Sequence, residues 1–184
     1  MYELFILSIL RNFPSHAYLI SKIMEPWLKV SRGTLSTLLK KMLKECFIEE
    51  TAEKVPFPSK HSAQTYKITN AGKERFYHLM MDTSDSVNFI KLFHVKANNF
   101  GLLSSSDCLY LINDFINRCQ NQQQYLSKQL NKFQNEPNEF SSDHLDIFIQ
   151  TASSSIDLQI AQLQSEIDWA KKIEMEIHNG KHSK

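Results

Sequence analysis

Ser31-Arg32-Gly33-Thr34-Leu35-Ser36-Thr37-Leu38-Leu39-Lys40-Lys41-Met42-Leu43-Lys44 has the residue pattern of a two-faced helix. At about 100° per residue, Leu35, Leu38, Leu39 and Met42 fall on one side of a helix. Gly33, Ser36, Thr37, Lys40 and Lys44 fall on the other, and no acid interrupts them before Glu45. Ser31 suits the N-cap, because its hydroxyl can accept from the free backbone N–H groups of the first turn. One face is made for a core, and the opposite face is small, polar and basic.

Two shorter helices are expected before this one. Leu4, Phe5, Ile6, Leu7 and Leu10 give residues 2–11 a broad apolar face, and Phe13-Pro14-Ser15 stops that helix. Ser15 or His16 opens a second helix reaching about Glu25, which Pro26 ends by disfavouring helical geometry in the residue before it. After the third helix, Phe47–Thr51 and Gln64–Ile68 read as paired strands. The long connection between them carries Lys54, Lys60 and His61. Three helices followed by a two-stranded hairpin with a basic tip is the order of a winged helix-turn-helix.

The remainder reads as helical. Thr69 caps a helix from Asn70 to about Met81, and another spans roughly 86–99. A long helix runs from Asp107 to about Asn135, with Leu109, Ile112, Phe115, Ile116, Cys119, Leu126, Leu130 and Phe133 as its stripe. Glu136-Pro137-Asn138 breaks it, and Ser141 or Ser142 caps a last helix reaching about His178. The apolar positions of that last helix include Leu145, Ile149, Ile156, Ile160, Leu163, Ile167 and Ile173, spaced close to a heptad seam. One helical hairpin cannot bury such a stripe well, and a second copy related by two-fold symmetry is the simplest cover. The expected organisation is therefore mainly α, with a DNA-binding domain at 1–80 and a helical dimerisation and effector domain at 81–184.

Charge agrees with that division. The 184 residues carry a net +1, yet residues 1–80 hold 12 Lys/Arg against 7 Asp/Glu, and residues 81–184 hold 9 against 13. The basic half is the one that would attract a polyanion. Cys46, Cys108 and Cys119 are odd in number and widely spaced, which suits a reducing cytoplasm better than a disulfide framework. A signal peptide and a bilayer-spanning run are not expected.

Three stretches together resemble the PadR-like family of winged-helix transcriptional regulators. They are His16-Ala17-Tyr18-Leu19-Ile20, residues 32–48, and Tyr66-Lys67-Ile68-Thr69-Asn70-Ala71-Gly72. Phe100-Gly101-Leu102-Leu103-Ser104 and Glu166-Ile167-Asp168-Trp169 look like the longer branch of that family, so the resemblance covers nearly the whole chain. It implies a homodimer on operator DNA, often a repressor and often answering to a small-molecule effector. Two departures stand out. Ser36-Thr37 replaces the family's usual Tyr-Pro, and Cys46 replaces the glycine that usually ends the recognition helix. A glycine there takes a left-handed conformation without strain. A cysteine must either accept strain or end the helix another way.

The candidate DNA-binding residues are Ser31, Arg32, Thr34, Ser36, Thr37, Lys40, Lys41 and Lys44, with Lys54, Lys60 and His61 in the wing. Lysines at Lys40 and Lys44 would take phosphates, while Ser36 and Thr37 are short enough to let the helix reach base edges. An ordinary solvated helix face is the competing reading. Trp27 and Trp169 are candidates for stacking on an effector, against a plain core or interface role. Cys46 reads as a packing residue or a thiol switch. His178 and His182 have metal-pair spacing but no third ligand between them, so neither metal nor cofactor is expected. No catalytic constellation stands out. The alternative function is a winged-helix protein-interaction module without sequence-specific DNA binding.

Overall fold

The computed structural model describes residues 1–55, 64–84, 87–135 and 143–180, the side chains of 133–135 and 143–145 excepted. Lys60, His61, Glu136-Pro137-Asn138, Ser141, Ser142 and His182 lie outside the described residues, as do the side chains of Phe133 and Leu145. The chain divides into two compact units, Met1–Asn99 and Phe100–Lys184.

The first unit begins with α1 (Tyr2–Asn12), in which every residue from Leu4 to Leu10 is buried. A strand β1 (Ser15–His16) follows at once, then α2 (Ala17–Met24) and α3 (Arg32–Lys44). Strands β2 (Ile48–Thr51) and β3 (Thr65–Ile68) lead to α4 (Asn70–Met81) and α5 (Phe89–Ala97). Leu4, Ile6 and Leu7 of α1, Ile20 and Met24 of α2, Leu35, Leu39 and Met42 of α3, and Phe76 and Met80 of α4 are all buried. A helical stripe and a strand have only one apolar side each, and a shared core is how four helices and a small sheet cover them together.

The expected two-stranded wing, β2 paired with β3, is part of a larger sheet. That sheet is three-stranded and antiparallel, in the order β1-β3-β2. Ser15 pairs with Tyr66 and His16 with Thr65, so these residues extend before the second helix begins. His16 then serves that helix as its N-cap, its Nδ1 accepting from the Leu19 N–H at 3.1 Å. A two-residue strand is too short to show an alternating pattern, and its capping histidine is what made the stretch resemble a helix start.

The first unit also runs further than residue 80. Ser8 Oγ donates to Asn99 Oδ1 at 2.7 Å, both residues being buried, and Asn99 Nδ2 donates to the Val95 carbonyl. Lys96 is buried too, and its Nζ donates to the Asp82 carbonyl at 2.6 Å. Buried polar groups must be paired, and these pairs tie α5 to α1 and to the end of α4.

The second unit holds a short 3₁₀ turn (Phe100–Leu102), α6 (Ser105–Asn135) and α7 (Asp143–His178). Ser104 Oγ accepts from the Asp107 N–H at the start of α6. The two long helices pack against each other. Leu111, Ile112, Phe115, Cys119 and Leu126 of α6 and Leu163, Ile167, Ala170 and Ile177 of α7 are buried. No helix among the described residues is long and apolar enough to cross a membrane.

Candidate nucleic-acid interface

The interface is built on α3, and its two ends are fixed differently. At the start, Ser31 Oγ accepts from the Thr34 N–H at 3.1 Å and shares a 2.8 Å hydrogen bond with Thr34 Oγ1. Such a cap contributes about 1 kcal/mol. Ser31 and Thr34 therefore build the helix start as well as standing on its exposed side.

At the far end the chain closes a Schellman turn. The Phe47 N–H donates to the Met42 carbonyl at 2.9 Å and the Cys46 N–H to the Leu43 carbonyl at 3.0 Å. Cys46 sits at the position glycine prefers, with φ of 57°, and it is the described non-glycine residue with positive φ. The chain thus accepts the strain. Neighbours hold the turn in place: Thr69 Oγ1 donates to the Cys46 carbonyl at 2.6 Å, and the Thr69 N–H donates to the Phe47 carbonyl at 3.1 Å. Thr69 also caps α4 by accepting from the Gly72 N–H at 3.0 Å. A Cβ on Gly72 would lie 1.9 Å from the Phe47 carbonyl oxygen, so that close approach requires glycine.

Between these ends the helix presents its polar face outward. Arg32, Ser36, Thr37, Lys40, Lys41 and Lys44 are all exposed, whereas Leu35, Leu39 and Met42 are buried and Leu38 is half-buried. Lys41 lies 3.7 Å from Glu45, which offsets part of its charge. Arg32, Lys40 and Lys44 have no carboxylate partner among the described residues. Thr37 Oγ1 donates to the Gly33 carbonyl at 3.0 Å, which leaves its lone pairs available as acceptors.

The described part of the wing is more acidic than its sequence suggested. Lys67 on β3 lies 2.7 Å from Glu53 and 3.4 Å from Glu49, and the hydrogen bond to Glu53 raises its pKa. Glu50 is exposed on the same strand as Glu49. Lys54 is exposed and is the described wing cation of the expected set, since Lys60 and His61 fall outside the described residues.

Sequence reasoning missed the contribution of α2. Tyr18 has the ring of a core residue, yet it is 63% exposed. Its ring lies 5.7 Å from Lys22 Nζ and stacks on His16 at a centroid distance of 6.2 Å. With Ser21 it lines a recess of about 480 Å³ that also touches Arg32, Ser36 and Lys40 of α3. The signal was the pairing of an aromatic with a lysine four residues later, which belongs on a solvent face.

The two tryptophans lie in different units. Trp27 is about half exposed and lines a cavity of about 200 Å³ with Phe5, Ser8, Asn12 and Asn99 among its neighbours. Trp169 stands on the exposed side of α7, next to the buried Ala170. The expected dimerisation stripe is divided. Leu163 and Ile167 are buried within the helical hairpin, Ile149, Ile156, Ile160 and Ile173 are half-buried, and Ile147, Phe148 and Leu158 are exposed.

No protein-family model and no curated protein matches the sequence. Among solved structures the chain is similar to Bacillus subtilis PadR in complex with operator DNA, at 17% identity over 95% of this chain and 98% of that one, with a TM-score of 0.37. It is similar to a PadR-like transcriptional regulator from Bacillus cereus at 18% identity, over 97% and 99% of the two chains, with a TM-score of 0.39. It is similar to the Vibrio cholerae virulence activator AphA at 15% identity, over 97% and 99% of the two chains, with a TM-score of 0.39. In each case the similarity runs along nearly the full length of both chains.

Proposed function

We propose that the chain is a PadR-like, DNA-binding transcriptional regulator of the cytoplasm, acting as a homodimer and as a repressor. The observation that carries this reading is the outward face of α3, where Arg32, Lys40 and Lys44 stand exposed without carboxylate partners among the described residues, beside the short side chains of Ser36 and Thr37. Cations without acidic neighbours are free to replace the counterions of a phosphate backbone. Short side chains let a helix settle deep enough in the major groove to read base edges. Ser31 and Thr34 lie at the helix start, where backbone N–H groups favour a phosphate. Lys54, Lys60 and His61 would reach the flanking backbone from the wing.

Dimerisation rests on α7. Its half-buried Ile149, Ile156, Ile160 and Ile173 would form the seam, and the exposed Ile147 and Phe148 would extend it. Leu163 and Ile167 support that seam from within the hairpin. A two-fold dimer would set two copies of α3 on half-sites about 34 Å apart, one turn of duplex. A small-molecule effector is part of the reading, with Trp27 and Trp169 as its candidate aromatic contacts. No catalytic role is assigned.

The test is salt-titrated binding to the DNA upstream of the chain's own gene, against random duplex of equal length. Preference for the upstream DNA, lost in Lys40→Glu/Lys44→Glu, is expected. Equal affinity for both duplexes would sink sequence-specific recognition. One observation favours a second reading, a protein-interaction module: Glu49, Glu50 and Glu53 make the described wing acidic. Under that reading the charge reversal leaves whatever DNA binding exists unchanged.

A further inference from the structure

Ser31, Thr69 and Ser104 cap α3, α4 and α6 with hydroxyls, which keep the same form across the ordinary pH range. The start of α2 is built differently, because its cap is the His16 ring. His16 Nδ1 accepts from the Leu19 N–H at 3.1 Å, so the ring carries its hydrogen on Nε2. That Nε2 is buried and has no hydrogen-bond partner among the described residues, and His16 as a whole is 4% exposed. Both nitrogens are therefore matched to the neutral ring. A second proton would occupy the lone pair that Leu19 uses and would leave a buried charge without an acceptor.

The surroundings do not compensate such a charge. The elements packed most closely on β1 are α2 and β3, and neither carries a carboxylate. From α2, Tyr18 stacks on the ring at 6.2 Å, and Lys22 Nζ lies 5.7 Å from the Tyr18 ring. From β3 come Thr65, opposite His16 in register, and then Tyr66 and Lys67. The acids of the described wing are turned to other partners: Glu49 and Glu53 to Lys67, and Glu50 opposite Tyr66. On α1, Glu3 is held by Arg75, and Arg11 in the last turn is a further cation. We propose that His16 is an acid-sensitive latch: when its ring takes a proton, α2 loses its cap and the packed pair of α2 and α3 loosens. An unconstrained histidine takes up its proton near about pH 6.5. Below that pH the unfolded chain binds a proton that the latched chain excludes, so the stability supplied by the latch is complete above this range and drains as pH falls through it. Weaker DNA binding in acid follows if α3 meets DNA, a consequence that rests on the proposed function, whereas the latch itself does not.

The experiment is urea unfolding of the full-length chain between about pH 7.5 and about pH 5.5, beside His16→Asn, whose amide oxygen can cap a helix and takes no proton in this range. At the upper end the unfolding equilibrium constants of the two proteins should agree within about tenfold. Below about pH 6.5 the parent's constant should rise relative to the variant's, by up to about tenfold per pH unit, the limit for one proton. Parallel profiles would overturn the latch. Should the variant not fold, amide exchange in the parent decides, corrected for the intrinsic effect of pH. Protection of the Leu19 amide should fall in acid while that of the Gly72 amide, capped by the Thr69 hydroxyl, holds. Equal behaviour of the two amides, or nitrogen-15 spectra placing the neutral ring's proton on Nδ1, would overturn the latch as well. With the upstream duplex, affinity should fall in acid more steeply for the parent than for His16→Asn, and equal falls would overturn the consequence for DNA. A chain that binds no DNA at about pH 7.5 would count against the proposed function alone, because the unfolding profiles still decide the latch.

Discussion

Replacing Cys46 by glycine should make the protein more stable, a result that no side-chain contact would suggest. Cys46 holds φ at 57° to close α3, and its thiol is exposed. A left-handed residue with a Cβ costs roughly 1–2 kcal/mol. Glycine removes that cost but raises the entropy of the unfolded chain, giving back about 0.5–1 kcal/mol. The expected net gain is about 1 kcal/mol, or roughly 2–4 °C in melting temperature for a chain of this size. The proper reference is Cys46→Ala, which loses the thiol and keeps the Cβ. An exposed sulfur contributes little packing, so the alanine variant should fall within about 0.5 kcal/mol of the parent. Thermal melts followed by circular dichroism under reducing conditions, repeated in urea, separate the three proteins. A glycine variant no more stable than the alanine variant would refute the assignment of strain to this turn.

Four further outcomes are expected. Gly72→Ala would push a methyl into the Phe47 carbonyl, 1.9 Å away, and should cost about 3 kcal/mol in urea unfolding. Ser31→Ala removes the α3 cap and should lower stability by about 1 kcal/mol, with a larger loss in DNA affinity if the helix start frays. A thiol reagent at pH 8 should label Cys46 in the folded chain and spare Cys108 and Cys119, whose pKa values burial pushes up to about 11 and about 12. Because those folded values lie above the ordinary 9.0, the stability linked to the neutral thiols is complete below pH 9 and drains as pH rises through 11 and 12. Each of Lys40→Ala and Lys44→Ala should reduce the slope of log affinity against log salt by about one per protomer, measured by fluorescence anisotropy.

Much of the fold was legible because long helices repeat their signal. The stripe of α3, its Ser31 cap and the Thr69 cap of α4 all stand where the residue pattern put them. The long helices α6 and α7 were equally plain, since their periodicity extends over many turns. What escaped was short or three-dimensional. Strand β1 has two residues, too few for alternation, and exists only because β3 offers it an edge. The extent of the first unit depends on Ser8 meeting Asn99, a pairing across 91 positions that no local pattern reveals. The outward face of α3 was visible as a list of residues, but not the recess beside it. That recess needs α2, α3 and β3 brought together, and Tyr18 reads as apolar until its neighbours are known.

The fastening of α3 also bears on how such a chain can change. The hydrogen bonds that tie the end of the helix to β3 and α4 gather around Cys46, Phe47, Thr69 and Gly72. The outward positions from Arg32 to Lys40 take no part in that fastening. Exchanging them alters what the helix meets outside and leaves untouched what holds it inside. On the proposed reading, preference for one DNA sequence over another can therefore drift at Ser36, Thr37 and Lys40 at little thermodynamic expense, while the cap residues Ser31 and Thr34 serve stability as well.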